Sequence, residues 1–297
     1  MDTKEQRRLN ILTKPILPLV VKTAIPTIIG MLISVIYNLT DTFFVGRLHN
    51  SAMIAAIGVV FSFVSVIQAI GFWYGYGSGN AMSKKIGEKD YAEAEMISSI
   101  GIFIATVTGT VIAIAARIFI VLLATLIGGS ASPDVLTFTV QYLNIIIISV
   151  PFSLYAVTLY NQLRLCGNVR DGMIGLLSGM LSNMVLDPLL MFPLNMGFIG
   201  AGYATLIGQI IGCIVLTALA QSRGNIPVSI KTAHYSKARM YHILAGGMPN
   251  FSRQAITSAA LVLLNVKAAQ YGESMIAALT VSSRVAALAY MIMIGWG

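Results

Sequence analysis

Two carboxylates lie where a carboxylate is hard to keep. Of the 11 acidic residues, only Asp41 and Asp187 fall inside long apolar stretches; the other nine occupy loops, stretch ends or the polar N-terminus. A charged Asp at the middle of a membrane helix costs about 3 kcal/mol on insertion scales, so such a residue marks a functional site by default. Each has polar company. Asn183 precedes Asp187 by four residues, Tyr37 precedes Asp41 by four and Asn38 precedes it by three, which puts each set on one helix face. Asp41 lies six residues before Arg47, Asp187 a similar distance before the turn around Asn195, and Thr205 five residues after Gly200. At about 1.5 Å per residue, these three sit at similar depth below one membrane face. The expected pocket is therefore Asp41, Asp187, Asn183, Thr205, Tyr37 and Asn38. Two neighbouring carboxylates resist ionising together. Such a pair takes up and releases a proton near neutral pH, or holds Na⁺ with the amide and hydroxyl oxygens beside it. The structural alternative is that each Asp caps a helix end or meets water.

Two prolines accompany these residues. Pro188 follows Asp187 directly and frees the carbonyl of Met184; Pro26 does the same for Lys22. Both are candidate hinges, although membrane helices also tolerate proline without bending for a purpose.

The elements that must position these groups are membrane helices. The chain is 57% hydrophobic and 10% charged with a mean hydropathy of +0.82, against roughly 25% charge in a soluble domain. Eight apolar stretches run roughly 16–45, 53–79, 95–124, 135–160, 172–193, 199–220, 241–268 and 275–297. Each reaches the roughly 20 residues that cross a hydrocarbon core. Backbone groups in lipid must be satisfied internally and barrel-type alternation is absent, so the runs are helices. The first 15 residues are polar with no small-residue cleavage site after them, so the first stretch is expected to be a retained span.

The net charge of +8 does not point to nucleic acid, because the basic residues follow topology. Thirteen fall on the N-terminal side of the alternating spans and two, Arg47 and Lys267, on the other; Lys22, Arg117, Arg253 and Arg284 lie within stretches. That asymmetry predicts a cytoplasmic N-terminus in a cell (inner) membrane protein. Cys166 and Cys213 lie far apart, and His49, His234 and His242 have no ligand spacing, so neither a disulfide framework nor a metal centre is expected. No nucleophile–base pair supports an enzyme. Gly75, Gly77 and Gly79 read as a small-residue packing stripe and not as a phosphate loop, since no strand precedes them and no Lys-Ser pair follows.

The pattern repeats. SAMIAAIGV (51–59) matches ESMIAALTV (273–281) at an offset of 222, and Pro26 is echoed by Pro249 at 223. Both copies start on the same side, which predicts parallel repeats about an axis along the membrane normal. The domains expected are an amino-terminal six-helix lobe (1–222), a cytoplasmic linker (223–240) and the first two helices of a carboxy-terminal lobe (241–297). Completing the second copy gives twelve helices and about 440–460 residues. The chain is read as a piece of that whole, not expected to transport alone.

The runs IYNLTDTFFVG (36–46), LRLCGN (163–168), NMVLDPLLMF (183–192), GFIGAGYAT (197–205) and the loop GEKDYAEAE (87–95) resemble the multidrug and toxic compound extrusion (MATE) family, in its DinF-like branch. The resemblance covers the whole chain. It implies secondary antiport of organic cations and amphipathic drugs against H⁺ or Na⁺, by two lobes that rock around a central cavity. It implies ion coupling in the amino-terminal lobe, at Tyr37, Asn38, Asp41, Asn183, Asp187 and Thr205, and bending of the first helix at Pro26. It further implies small-molecule drugs and membrane lipid as partners, a monomer when complete, and no enzymatic cofactor. One departure stands out: the NorM-like branch has an acidic residue on the seventh helix, and residues 248–270 hold none. The competing reading is a lipid or lipid-linked oligosaccharide flippase of the same superfamily, which would gather several cations in its cavity; Lys22, Arg117, Arg253 and Arg284 are the candidates.

Overall fold

A computed structural model describes residues 33, 36, 37, 39–221 and 236–296, with the side chains of 238 and 287–296 left aside. Pro26 and Asn38, along with Lys22 and most of the linker, lie outside the described residues. All regular structure among the described residues is helical.

The end of the first helix, 39–46 (α1), turns into Ser51–Gly87 (α2), then Tyr91–Ile118 (α3), Ile120–Leu126 (α4), Pro133–Leu165 (α5), Val169–Met191 (α6), Gly197–Gln221 (α7), Lys237–Ala269 (α8) and Glu273–Trp296 (α9). Five of these, α2, α3, α5, α6 and α7, are long and apolar enough to cross a membrane. The chain is thus a multi-pass, all-helical membrane protein.

Local chemistry sets the ends. The Asn50 side chain accepts from the backbone N–H of Ala52 at 2.9 Å and caps α2, while Lys84 and Lys85 close its last turn. Asp90 caps α3 by accepting from Glu93 N at 3.1 Å, and Ser132 caps α5 by accepting from Val135 N at 3.2 Å.

Three boundaries differ from the sequence reading, the first being α2, which runs on to Gly87 past the stretch that ended at 79. The stretch 95–124 is not one helix. It breaks at Phe119, which links α3 to the short α4, and a 3₁₀ turn at Gly129–Ala131 follows. The seventh helix starts at Lys237, about one turn before 241.

Helix contacts are made through small residues, as expected where lipid removes the hydrophobic drive between helices. The glycine stripe of α2 divides between two neighbours. A Cβ on Gly75 or Gly79 would come within 2.8 Å of Asn161 or 2.7 Å of Leu165 on α5. A Cβ on Gly77 would meet the Ile243 carbonyl oxygen of α8 at 1.9 Å. Just above, the Trp73 indole N–H donates to Leu244 O at 2.8 Å and its ring stacks on Phe251 at 4.4 Å. Farther along the same interface Ser65 and Ser258 hydroxyls meet at 2.8 Å, and the buried Asn265 amide donates to Gly58 O and Ser62 Oγ at 3.1 and 2.7 Å. Polar groups therefore join α2 and α8 along most of their length.

Candidate ion-coupling pocket

The pocket depends on how closely α6 approaches α7. Gly175 and Gly179 on α6 face Gly208 and Gly212 on α7. A Cβ on Gly179 would lie 2.7 Å from Gly208 O, and one on Gly208 would lie 2.8 Å from Gly179 O. Any side chain at these two positions would push the backbones apart. One turn further, this approach lets the Asn183 amide donate to the Thr205 hydroxyl at 3.1 Å. Asn183 and Thr205, both expected in the pocket, are thus joined by a direct hydrogen bond. The two small-residue pairs, GLLSG (175–179) and GQIIG (208–212), were legible in the sequence and escaped the reading above.

Asp41, Asn183 and Asp187 are all buried, with Asp187 wholly enclosed at 0% exposure. Asp41 and Asp187 are close enough to act on each other electrostatically, and both act on Tyr37. The Tyr37 hydroxyl is within hydrogen-bonding reach of Thr205. So is the hydroxyl of Tyr142, on α5, a residue that sequence reasoning missed. An isolated Tyr in an apolar helix gives no signal of its own; only the packing of α5 against α7 brings it in. Five of the six expected residues therefore gather in one place, and the sixth, Asn38, lies outside the described residues.

Four acceptor oxygens in this pocket have no hydrogen-bond partner among the described residues: Asp41 Oδ1, Asn183 Oδ1 and both carboxylate oxygens of Asp187. An unpaired buried acceptor costs about 1–3 kcal/mol, and more if it is charged. Four in one pocket form an oxygen-rich cage that protons or a small cation would satisfy. No group of three His, Cys, Asp or Glu side chains among the described residues forms a metal centre.

The helix is continuous across Pro188: α6 runs on to Met191 and Phe192 N donates to Pro188 O at 3.2 Å. The three intramembrane cations among the described residues do not converge. Arg117 is exposed and bonds Asn144, Arg253 is exposed, and Lys22 is outside the described residues. Arg284 alone is buried; its guanidinium lies 4.2 Å from the centre of the Phe61 ring and within electrostatic reach of Asp41. It borders a small open cleft between α2, α8 and α9, lined also by Ser62, Asn265 and Thr280. The cleft is separate in its lining from the carboxylate pocket and faces the seam between α2 and the last two helices.

Membrane-length helices closed around a buried polar pocket are the architecture of a membrane transporter. The chain belongs to the MATE family, whose model matches residues 26–189. It is 32% identical over 273 residues to the multidrug export protein MepA of Staphylococcus haemolyticus (strain JCSC1435), covering 92% of this chain and 60% of that one. Its fold matches a multidrug resistance MATE family transporter in the inward-facing conformation with a TM-score of 0.81 at 24% identity, over 88% of this chain and 59% of that one. The outward-facing conformation of such a transporter matches with a TM-score of 0.80 at 25% identity, over 93% and 61%. The chain spans about three fifths of the length of the relatives it matches. The family and the structures matched are transporters and not enzymes.

Proposed function

We propose that the complete protein is a multidrug exporter driven by inward flow of H⁺ or Na⁺, and that the coupling ion binds in the amino-terminal lobe at Asp41 and Asp187. Asn183, Thr205, Tyr37 and Asn38 complete that site. The observation that carries this reading is the set of four acceptor oxygens on Asp41, Asn183 and Asp187 that have no partner among the described residues. A pocket with surplus acceptors and two carboxylates binds cations by its nature. Drug export is supported by the multidrug export relatives; the drugs proposed are cationic and amphipathic. Burial of Asp187 at 0% exposure gives the exchange of ions a large electrostatic consequence, because charge is felt strongly in a low dielectric.

In this reading residues 1–222 form the first lobe, 223–240 the linker, and 241–297 the beginning of the second lobe, with Pro26 and Pro188 as hinges. The lobes are related by a two-fold axis along the membrane normal, and alternating access comes from one rocking against the other. The protein works as a monomer in the cell (inner) membrane, in contact with lipid, with its N-terminus in the cytoplasm. The flippase alternative is not favoured by the scattered placement of Arg117, Arg253 and Arg284.

The test is drug efflux by the complete protein in proteoliposomes under an imposed pH or Na⁺ gradient, with Asp41→Asn and Asp187→Asn alongside. Efflux by the wild type and failure of both variants is expected, and the effective gradient names the ion. Equal transport by wild type and both variants would sink the assignment of the pocket.

A further inference from the structure

The two ends of the seam between the lobes are fastened by different chemistry. At the end where α3 and α8 begin, the Arg239 guanidinium donates to Glu93 twice, Nε to Oε1 at 2.6 Å and Nη2 to Oε2 at 2.9 Å. At the opposite end the Glu273 carboxylate accepts from Ser51 Oγ at 2.8 Å and from Ser132 Oγ at 3.1 Å. The first is a paired ion bridge; the second sets a carboxylate against two neutral hydroxyls.

Glu93 is placed for a task beyond its own helix. It stands three residues after the N-cap Asp90, which holds its backbone N–H. At that position Glu ordinarily folds back to the cap's own N–H. Here it reaches across to α8. The pair is partly shielded, with side chains 26% and 21% exposed, and its geometry is the two-pronged fork that Arg offers a carboxylate. Glu93 lies in the first lobe and Arg239 at the end of the linker, in the first turn of α8, the helix that continues into the second lobe, so a motion that carries α8 away from α3 at this end breaks the bridge.

We propose that the Glu93–Arg239 bridge is a latch that holds the cytoplasmic side of the transporter closed and must break for it to open inward. The inference rests on the proposed function above for two points, that the lobes part at this end and that this end faces the cytoplasm. The Ser51–Glu273–Ser132 contacts form the opposing outer clasp. The charged inner latch, with charge on both partners, is the more sensitive of the two to salt.

The experiment uses the complete protein with Ala92→Cys and Lys237→Cys in a Cys166→Ser, Cys213→Ser background, both sites being exposed. Spin labels there report the gap across the latch by double electron–electron resonance. Glu93→Arg or Arg239→Glu alone is expected to lower the short-distance fraction by about threefold or more, since repulsion replaces a bidentate attraction. The double reversal, which rebuilds the pair with its charges exchanged, is expected to restore it. Arg239→Gln, a milder change, is expected to give an intermediate loss. Single reversals with the wild-type distance distribution overturn the proposal, and so does a double reversal no closer to wild type than either single. Efflux in the same vesicles keeps the two readings apart. An unmutated protein that moves no drug under either gradient counts against the transport reading, while the label distances still decide the latch.

Discussion

Ser51 and Glu273 stand 222 positions apart in the chain and hydrogen-bond to each other at 2.8 Å. The same offset relates Gly58 to Thr280, and a Cβ on Gly58 would lie 1.8 Å from the Thr280 hydroxyl oxygen. Seven residues separate the two contacts, two turns along one face of α2. When residues related by a repeat touch one another, the symmetry axis must pass between them. These two contacts are what a two-fold axis along the crossing of α2 and α9 would produce, and they support the two-lobe proposal independently of the sequence match.

That crossing predicts a steric effect. Gly58→Leu has no room beside Thr280 and should lower stability by about 1–3 kcal/mol, the usual cost of overpacking. Thermal unfolding of the purified complete protein checks it. Gly87→Ala is the control, since nothing lies within 4 Å of a Cβ there, and it should leave the midpoint unchanged.

The carboxylate pocket predicts opposite effects on activity and on stability. Asp187→Asn removes a carboxylate whose two oxygens are both buried and have no partner among the described residues. Gradient-driven efflux should fall to background while the unfolding temperature holds or rises, because the variant loses an ionisable group that is costly to charge at that place. A fall in both would indicate that Asp187 is a structural member of the bundle.

Thr205 serves Asn183 and sits beside two tyrosines. Thr205→Val keeps the shape and deletes the 3.1 Å hydrogen bond, which in membrane proteins is worth about 0.6 kcal/mol on average. Efflux should weaken severalfold with little change in unfolding. Thr205→Ser should retain it. Equal activity in the Val and Ser variants would mean that the hydroxyl contributes nothing to the site.

Gly179→Leu or Gly208→Leu should separate α6 from α7, lower the unfolding temperature, and abolish efflux without touching any polar group of the pocket. A Leu variant with normal activity would contradict the backbone approach described for these helices.

Pro188 offers a simpler check. Because α6 is already continuous across it, Pro188→Ala should leave the helical content seen by circular dichroism unchanged. Reduced efflux would then support a role in movement, and full efflux would make the proline incidental.

The carboxylate pocket was legible in the sequence for a clear reason. Asp41 and Asp187 are costly in an apolar helix, and cost makes a residue visible. Tyr142 carries no such cost and became apparent only when α5 packed beside Thr205. The break at Phe119 had no glycine or proline to announce it. Arg284 was visible as an intramembrane cation, but its position over Phe61 depends on how α9 crosses α2, a tertiary fact. The ends of the described helices were legible to within a few residues, except at the Phe119 break and where α2 extends to Gly87, past the apolar stretch that ended at 79.

Trp73 gives the molecule a built-in optical gauge. It is one of only two tryptophans in the chain, and its indole is held by a carbonyl and an aromatic ring that both belong to α8. Parting of α2 from α8 at this point would remove both neighbours at once and change the colour and intensity of its emission. The difference in emission between the protein and its Trp73→Phe variant can therefore report the opening of this seam, with no label attached.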